Sequence, residues 1–571
     1  MSGRVANRRI RLLLAVFALV FGLTLMRAVW LQGVRAQSLS RMAAKQHRQT
    51  VDLAANRGAI YDSTGSQLAI GEQATTVYAD PLQIRNPAAV APVVARILRL
   101  DSKDVYAKLF DRTHGFVYVE RKADPKRAAA LAKRHITGLG FYPEERRFYP
   151  QHSIAAQVLG YAGVDNHGLS GLELAFDKPL AGRAGRETLV RDPFGHVLES
   201  VGSTTARDGS DLYLTLDHNI QAQAELVLRQ TVQRWHAKDA SAIVLDPHTG
   251  AVLAMAVAPT YDANSFPEVP KDAQRNRAIT DTYEPGSTFK LVTVAGALST
   301  GIVTPRTAYI LPYEIQVADR KIHDAEPRGT ERMTVAQILS RSSNVGAITL
   351  ARLLDKERLV SWISRFGFGH ATGIAFPGES QGIVLPADKW SGSTIGNVPI
   401  GQGIAVTPMQ MASAYAAIAN RGVWTRPHLI DHLGGGLAEP TSRRRIVTPW
   451  IARELTSMLQ NVVLDGTGTL ARIPGYHVAG KTGTAAKPDS QGGYSSSKYV
   501  ASFVGFAPAQ HPKLLVAVVV DEPQGNYYGG VVAAPAFGEI AKFALPYLEI
   551  QPDQRGAAAS AAAASTTSQG P

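Results

Sequence analysis

Three regimes of hydrophobic patterning follow one another along this chain. From Leu12 to Met26 no side chain carries charge; Arg27 interrupts, and Ala28-Val29-Trp30-Leu31 continue the apolar run. A bilayer core needs about 20 such residues in a helix. Residues 12–31 therefore predict one transmembrane helix, with Arg27 snorkelling and Trp30 at the interface. Residues 32–50 read as a helical stem. The second regime is shorter in period. Asp62-Ser63-Thr64-Gly65 is a turn signal between two apolar patches, which predicts a hairpin. Residues 86–140 alternate Ala-rich helical patterns with short loops. Arg147-Phe148-Tyr149-Pro150 and Gly168-Leu169-Ser170-Gly171-Leu172-Glu173 read as loops and turns, and Thr204 to Ser210 as a polar connector. From Leu212 the third regime begins. It predicts a helix over Asp217–Arg229 and a hairpin of Ser241–Leu245 with Ala251–Ala256. An apolar helix follows Pro285-Gly286, and strands are expected at Tyr499–Phe506 and Leu514–Val520. After Ile550 the chain turns Ala/Ser-rich, a composition that predicts disorder. The resulting division is a tail (1–11), a membrane helix (12–31), a membrane-proximal domain (32–210), a second domain (211–550) and a disordered tail (551–571). The mixture of elements makes the fold class α+β.

The 571 residues suffice for two or three domains, and 45% hydrophobic with 19% charged residues is a globular composition. Cysteine is absent, which excludes disulfides, thiolate zinc sites and a thiol nucleophile. The formal net charge of +13 comes with no nucleic-acid motif, and an anionic envelope polymer or membrane surface fits it equally well. Arg4, Arg8, Arg9 and Arg11 precede the apolar run without an acidic residue, which predicts a cytoplasmic N-terminus and an extracytoplasmic remainder. Arg35, Arg41 and Lys45 beyond the run soften that asymmetry. No small-x-small cleavage site follows it, so a retained anchor is expected rather than a cleaved signal.

The chemistry concentrates in Glu284-Pro285-Gly286-Ser287-Thr288-Phe289-Lys290. Ser287 and Lys290 lie three apart at the start of an apolar helix, so they share a face. Desolvation favours a neutral lysine, which can take a proton from a hydroxyl. Ser-x-x-Lys alone says little: Ser495-Ser496-Ser497-Lys498 repeats it in a Gly/Ser-rich stretch that reads as a solvated loop. Two further motifs give the first copy its meaning, Ser342-Ser343-Asn344 and Lys481-Thr482-Gly483-Thr484.

In order and spacing the three motifs resemble the active site of the penicillin-interacting serine enzymes. Over roughly residues 10–548 the chain resembles a class B penicillin-binding protein, a membrane-anchored peptidoglycan transpeptidase, and most of all the division-specific FtsI type. Arg57-Gly58 through Ala69, Arg147-Phe148-Tyr149-Pro150 and Gly168 to Phe176 resemble the non-catalytic motifs of that family's pedestal. Ser63-Thr64 and Phe176 depart from its usual residues, outside the chemistry. The resemblance implies an elongated α/β pedestal followed by a transpeptidase domain with an antiparallel sheet flanked by helices. It implies that Ser287 attacks the penultimate D-Ala carbonyl of a stem peptide, with Lys290 as base and Ser342 relaying the proton to the leaving amine. Asn344 would hold the donor amide and orient Lys290, and Lys481 would supply positive field. Thr482 and Thr484 of Lys-Thr-Gly-Thr, with Gly483 between them, would bind the donor carboxylate. The N–H groups of Ser287 and Thr484 would form the oxyanion hole. β-Lactams would acylate Ser287. The implied partners are peptidoglycan stem peptides, a SEDS-family glycan polymerase and other divisome membrane proteins; no cofactor and no metal is implied. An elongation-type protein, a carboxypeptidase or β-lactamase, and a non-catalytic β-lactam sensor or scaffold stay open as alternatives.

The remaining candidates have plainer explanations. Among 15 histidines only His428 and His432 have a His-x-x-x-His spacing, and the glutamate of a zinc-protease helix is missing. Gly466-Thr467-Gly468-Thr469 and Gly401-Gln402-Gly403 read as tight turns, Asp246 and Asp281 as turn or cap residues, and Arg443 to Arg445 as a solvated run.

Overall fold

The computed structural model describes residues 2–35, 48–53, 55–191, 197–436, 441–489 and 492–554, in two compact units. The first comprises Met1–Asn56 and Ala181–Gly209. Its helix, Ser2–Val29, runs into a π-helical turn, Trp30–Val34. Residues Asn7–Gly33 form the one helix among the described residues that is long and apolar enough to cross a membrane, and its side chains are exposed. The Arg27 and Arg35 guanidiniums lie 5.3 and 4.3 Å from the Trp30 ring centre, within cation–π range. Strands Arg48–Leu53, Gly185–Arg191 and Val197–Thr204 form a three-stranded antiparallel sheet. The helical stem expected over 32–50 is corrected at its end, since Arg48 begins a strand; residues 36–47 lie outside the described residues. The local pattern could not reveal this, because the strand's partner begins at Gly185.

The second unit comprises Arg57–Leu180 and Ser210–Pro571. The hairpin around Asp62 is present, with Ile60–Tyr61 against Gln67–Ala79. Asp62 Oδ1 accepts the N–H groups of Thr64 and Ser66, at 2.9 and 2.8 Å, which fixes the turn. The sheet order is Ile430–Leu433, Leu212–Leu214, Ile60–Tyr61, Gln67–Ala79, Val117–Ala123, with Leu139–Phe148 also on the long strand. Four of those strands were not expected: Leu212–Leu214, Ile430–Leu433, Val117–Ala123 within the helical reading of 86–140, and Leu139–Phe148, which carries Arg147 and Phe148 on a strand instead of a loop. Helices Pro87–Leu98, Ser102–Phe110 and Pro125–Ala132 start at Asn86, Asp101 and Asp124, whose side chains accept the first free N–H groups. They pack Val94, Leu98, Leu109 and Leu131 with Val77 and Ile84.

Motifs distant in sequence meet around a buried carboxylate. Glu173 takes Arg57 Nη2 and Arg147 Nε, each at 2.6 Å, and Arg57 Nη1 reaches Asp177 at 2.7 Å. Burial of these groups is tolerated because every charge has a partner. The later part of the unit is a five-stranded antiparallel sheet ordered Val252–Ala258, Asp239–Leu245, Leu514–Asp521, Tyr494–Ala507, Ala479–Pro488. Helices His218–Trp235 and Gly529–Tyr547 pack on one face, around Leu228, Phe503 and Phe537. On the other face one core joins Leu68, Tyr149, Leu159 and Leu172 to Ile243, Phe289, Leu291, Tyr415 and Phe506. Residues 57–180 and those after 210 thus share a hydrophobic core.

Candidate active site

Pro285 and Gly286 turn the chain into a 3₁₀ turn, Gly286–Phe289, and the α-helix Lys290–Ser299 follows. In a 3₁₀ turn residues i and i+3 eclipse, which sets Ser287 and Lys290 on one side. Ser287 is half-buried between fully buried neighbours. The turn is clamped internally by Thr288 Oγ1 donating to Pro285 O at 2.8 Å, and from outside by Tyr415 Oη donating to Thr288 O at 2.8 Å.

Lys290 is wholly buried. Its Nζ donates to Asn344 Oδ1 at 2.7 Å, to Ser342 Oγ at 3.2 Å and to the Ser342 carbonyl. Burial pushes its pKa down to about 7, against the opposing pull of the Asp324 charge. Ser342 has φ = 62°, a left-handed conformation that terminates helix Val335–Ser340 and presents its side chain to the lysine. Helix Asn344–Leu354 begins next, capped by Ser343 Oγ on the Gly346 N–H at 2.9 Å.

Asp324 holds this arrangement. It accepts Ser343 Oγ at 3.0 Å, the Val345 N–H at 3.0 Å and Arg328 Nε and Nη2 at 2.9 and 2.6 Å. Just before it, the His323 carbonyl accepts Asn344 Nδ2 at 2.8 Å. Sequence reasoning passed over Asp324, which no local motif marks. The aspartates it did weigh have structural partners: Asp246 accepts the His248 N–H, and Asp281 pairs with Arg275 and Arg277.

Lys481, Thr482, Gly483 and Thr484 lie on the edge strand Ala479–Pro488. Lys481 is fully buried, and burial together with the Lys290 charge holds its pKa well below the ordinary value. Thr482 Oγ1 meets Thr467 Oγ1 at 2.6 Å, and Thr484 Oγ1 accepts the Gly529 N–H at 3.0 Å. Gly483 permits the approach of strand to turn: a Cβ there would sit 2.8 Å from Pro285 O, and one on Gly286 would sit 2.7 Å from Thr484 O. The structure brings together all eight residues singled out in the sequence, on the turn, the Ser342–Asn344 loop and the edge strand.

It adds others. Glu284 Oε1 accepts the Gly403 N–H at 2.9 Å and Tyr494 Oη at 3.2 Å, joining three distant segments. Tyr499 stacks on Tyr527 at 4.1 Å and Tyr528 lies tilted against Tyr527 at 4.7 Å, beside the Gly529 contact to Thr484. The second Ser-x-x-Lys copy, Ser495 to Lys498, is corrected from loop to strand, and Ser496 to Lys498 are exposed. Arg443–Arg445 is likewise a short strand, paired with Val423–Thr425. No cluster of three metal-ligating side chains occurs among the described residues.

Residues 240–542 match the penicillin binding protein transpeptidase domain, and residues 52–214 match the penicillin-binding protein dimerisation domain. The chain is 34% identical over 554 residues to the peptidoglycan D,D-transpeptidase FtsI of Escherichia coli, covering 95% of this chain and 92% of that protein. It is 32% identical to the stage V sporulation protein D of Bacillus subtilis, over 96% of this chain and 88% of that one. Among solved structures, penicillin binding protein 3 of Mycobacterium tuberculosis complexed with aztreonam superposes with a TM-score of 0.71 at 30% identity, covering 88% of this chain and 98% of that one. With three converging motifs on a shared architecture and full-length relatives, the chain belongs to the FtsI-like class B penicillin-binding proteins and is a peptidoglycan D,D-transpeptidase.

Proposed function

We propose that Ser287 is the nucleophile of this transpeptidase and Lys290 its base, with Ser342 relaying the proton to the leaving amine. The observation that carries this reading is Lys290: fully buried, with a pKa near 7, and bonded to Ser342 and Asn344. A neutral amine at that position accepts the Ser287 proton as Oγ attacks the penultimate D-Ala carbonyl. The terminal D-Ala leaves with a proton delivered through Ser342. The acyl-enzyme is then opened by an amine from a neighbouring stem peptide, which forms the cross-link. Asn344 orients Lys290 and holds the donor amide. Lys481 supplies field, and Thr482, Gly483 and Thr484 offer the unpaired side of an edge strand to an extended peptide and its carboxylate. The Ser287 and Thr484 N–H groups would serve as the oxyanion hole, each worth about 3 kcal/mol in the transition state. The test is labelling of the full chain with a fluorescent penicillin. Stable labelling that Ser287→Ala abolishes supports the assignment; undiminished labelling of that variant overturns it.

The setting we propose is septal wall synthesis, with the N-terminus cytoplasmic, the catalytic domain outside the membrane and a SEDS-family polymerase as partner. The similarity to FtsI favours this over an elongation role. A fluorescent fusion that lines the side wall in dividing cells, with no midcell band, would instead support elongation.

A further inference from the structure

Against helix Pro408–Ala419 lies a cavity of about 310 Å³ that the transpeptidase mechanism does not use. Its wall includes Phe366, Ala371, Thr372, Ser413, Trp424 and Arg444. No carboxylate lines it. The Arg444 guanidinium stacks over the Trp424 ring at 4.8 Å and donates through Nη1 to the Arg365 carbonyl at 2.8 Å. It has no acidic partner among the described residues, and the charge it feels is that of Arg365. Ser413 is 4% exposed, and its hydroxyl has no hydrogen-bond partner. A buried hydroxyl left unpaired is costly. The Arg444 guanidinium lies on an exposed strand and has N–H groups beyond the one it gives to Arg365. Two other polar groups of the lining are already engaged: Thr372 Oγ1 donates to Glu379, and the Gln410 amide donates to the His370 and Gln381 carbonyls.

We propose that this cavity is a binding site for a small organic carboxylate. Its two oxygens would take the planar fork of Arg444 and the Ser413 hydroxyl, and its apolar body would rest against Phe366, Ala371 and Trp424. A guanidinium fork matches a carboxylate in plane and spacing, and the apolar wall selects an organic acid over an inorganic anion. The cavity sits on helix Pro408–Ala419, whose Tyr415 hydrogen-bonds the catalytic turn.

The test uses the full chain in detergent, with its catalytic serine first acylated by benzylpenicillin so that the catalytic cleft is closed. The stoichiometry of labelling is measured separately, so a failure of the proposed nucleophile is seen at that step. Benzoate is the probe and benzamide its neutral counterpart, followed by saturation-transfer NMR. Saturable benzoate binding is expected, with benzamide weaker by about tenfold, the scale of one charge-assisted bond. Arg444→Gln and Ser413→Ala should each weaken benzoate by about fivefold or more while penicillin labelling is unchanged. Equal binding of benzoate and benzamide, unaltered affinity in both variants, or displacement of benzoate by equimolar inorganic phosphate would each overturn the proposal.

Discussion

At the scale of single residues, a buried cation and the carboxylate that opposes its desolvation decide the chemistry. Burial lowers the Lys290 pKa to about 7 and the Asp324 charge raises it. As the proposed base the lysine would work in its neutral form, so acylation by a β-lactam should rise with pH through a midpoint near 7 and level off above it. Lys290→Ala should abolish both the rate and this step while the protein still melts cooperatively, because truncation removes a desolvation cost along with the amine. Near wild-type acylation by that variant would exclude Lys290 as base. Asp324→Asn should shift the midpoint of the profile to lower pH, since it removes a charge that favours the ammonium form. It also takes from Arg328 the nearer of its two carboxylates, leaving Glu331 at 3.5 Å, so a loss of about 1–3 kcal/mol in denaturant unfolding is expected. An unmoved profile would detach Asp324 from the lysine.

At the scale of elements, the site depends on how closely backbones can approach. Gly286 N–H donates to Gly401 O at 3.0 Å, and a Cβ on Gly401, where φ is 81°, would lie 2.1 Å from Gly286 O. Gly401→Ala should therefore displace the catalytic turn, slow acylation by more than tenfold and cost at least about 1–3 kcal/mol from the left-handed backbone alone. Acylation kinetics and chemical denaturation measure the two effects. Ser495→Ala provides the contrast. It repeats the Ser-x-x-Lys spelling at the solvent-facing start of a strand, and stopped-flow acylation should be unchanged; a large loss would move the chemistry to that strand.

At the scale of the molecule, the shared core changes how the membrane-proximal residues can be probed. Deleting residues 1–210 would strip Leu68, Tyr149, Leu159 and Leu172 from the core that holds Phe289. The proposed polymerase binding is better tested with Ser287→Ala in the full chain, which should still co-purify with a SEDS-family polymerase if that proposal holds. Glu225 is another tie within this unit. From helix His218–Trp235 it accepts the Ala155 N–H at 2.8 Å and Gln221 Nε2 at 2.7 Å, and burial raises its pKa to about 7. The folded value exceeds the ordinary 4.5, so the native state holds this proton more tightly. Its contribution to stability is full below about pH 4.5 and is lost as pH rises through about 7. Glu225→Gln should accordingly raise the melting temperature at pH 8 and have little effect at pH 4.5. A scanning-calorimetry series across that range checks this, and equal shifts at both ends would remove Glu225 as the titrating group.

The sequence by itself determined the elements whose signals are local. The membrane-length helix, the Asp62 and Asp246 hairpins, the Asp217-capped helix and the continuous strand at Leu514 all follow from periodicity and turn chemistry within a few residues. It also marked the eight residues that converge at the site, because Ser287 and Lys290 are one turn apart and the other motifs keep the family's order. Tertiary structure alone decided the strands at Arg48, Val117 and Leu139, whose stability comes from partners far along the chain. It alone revealed Asp324, Glu284 and the Glu173 cluster. A charged residue becomes a buried organiser only when its counter-charges and donors arrive from other segments, and no window of sequence contains that arrival.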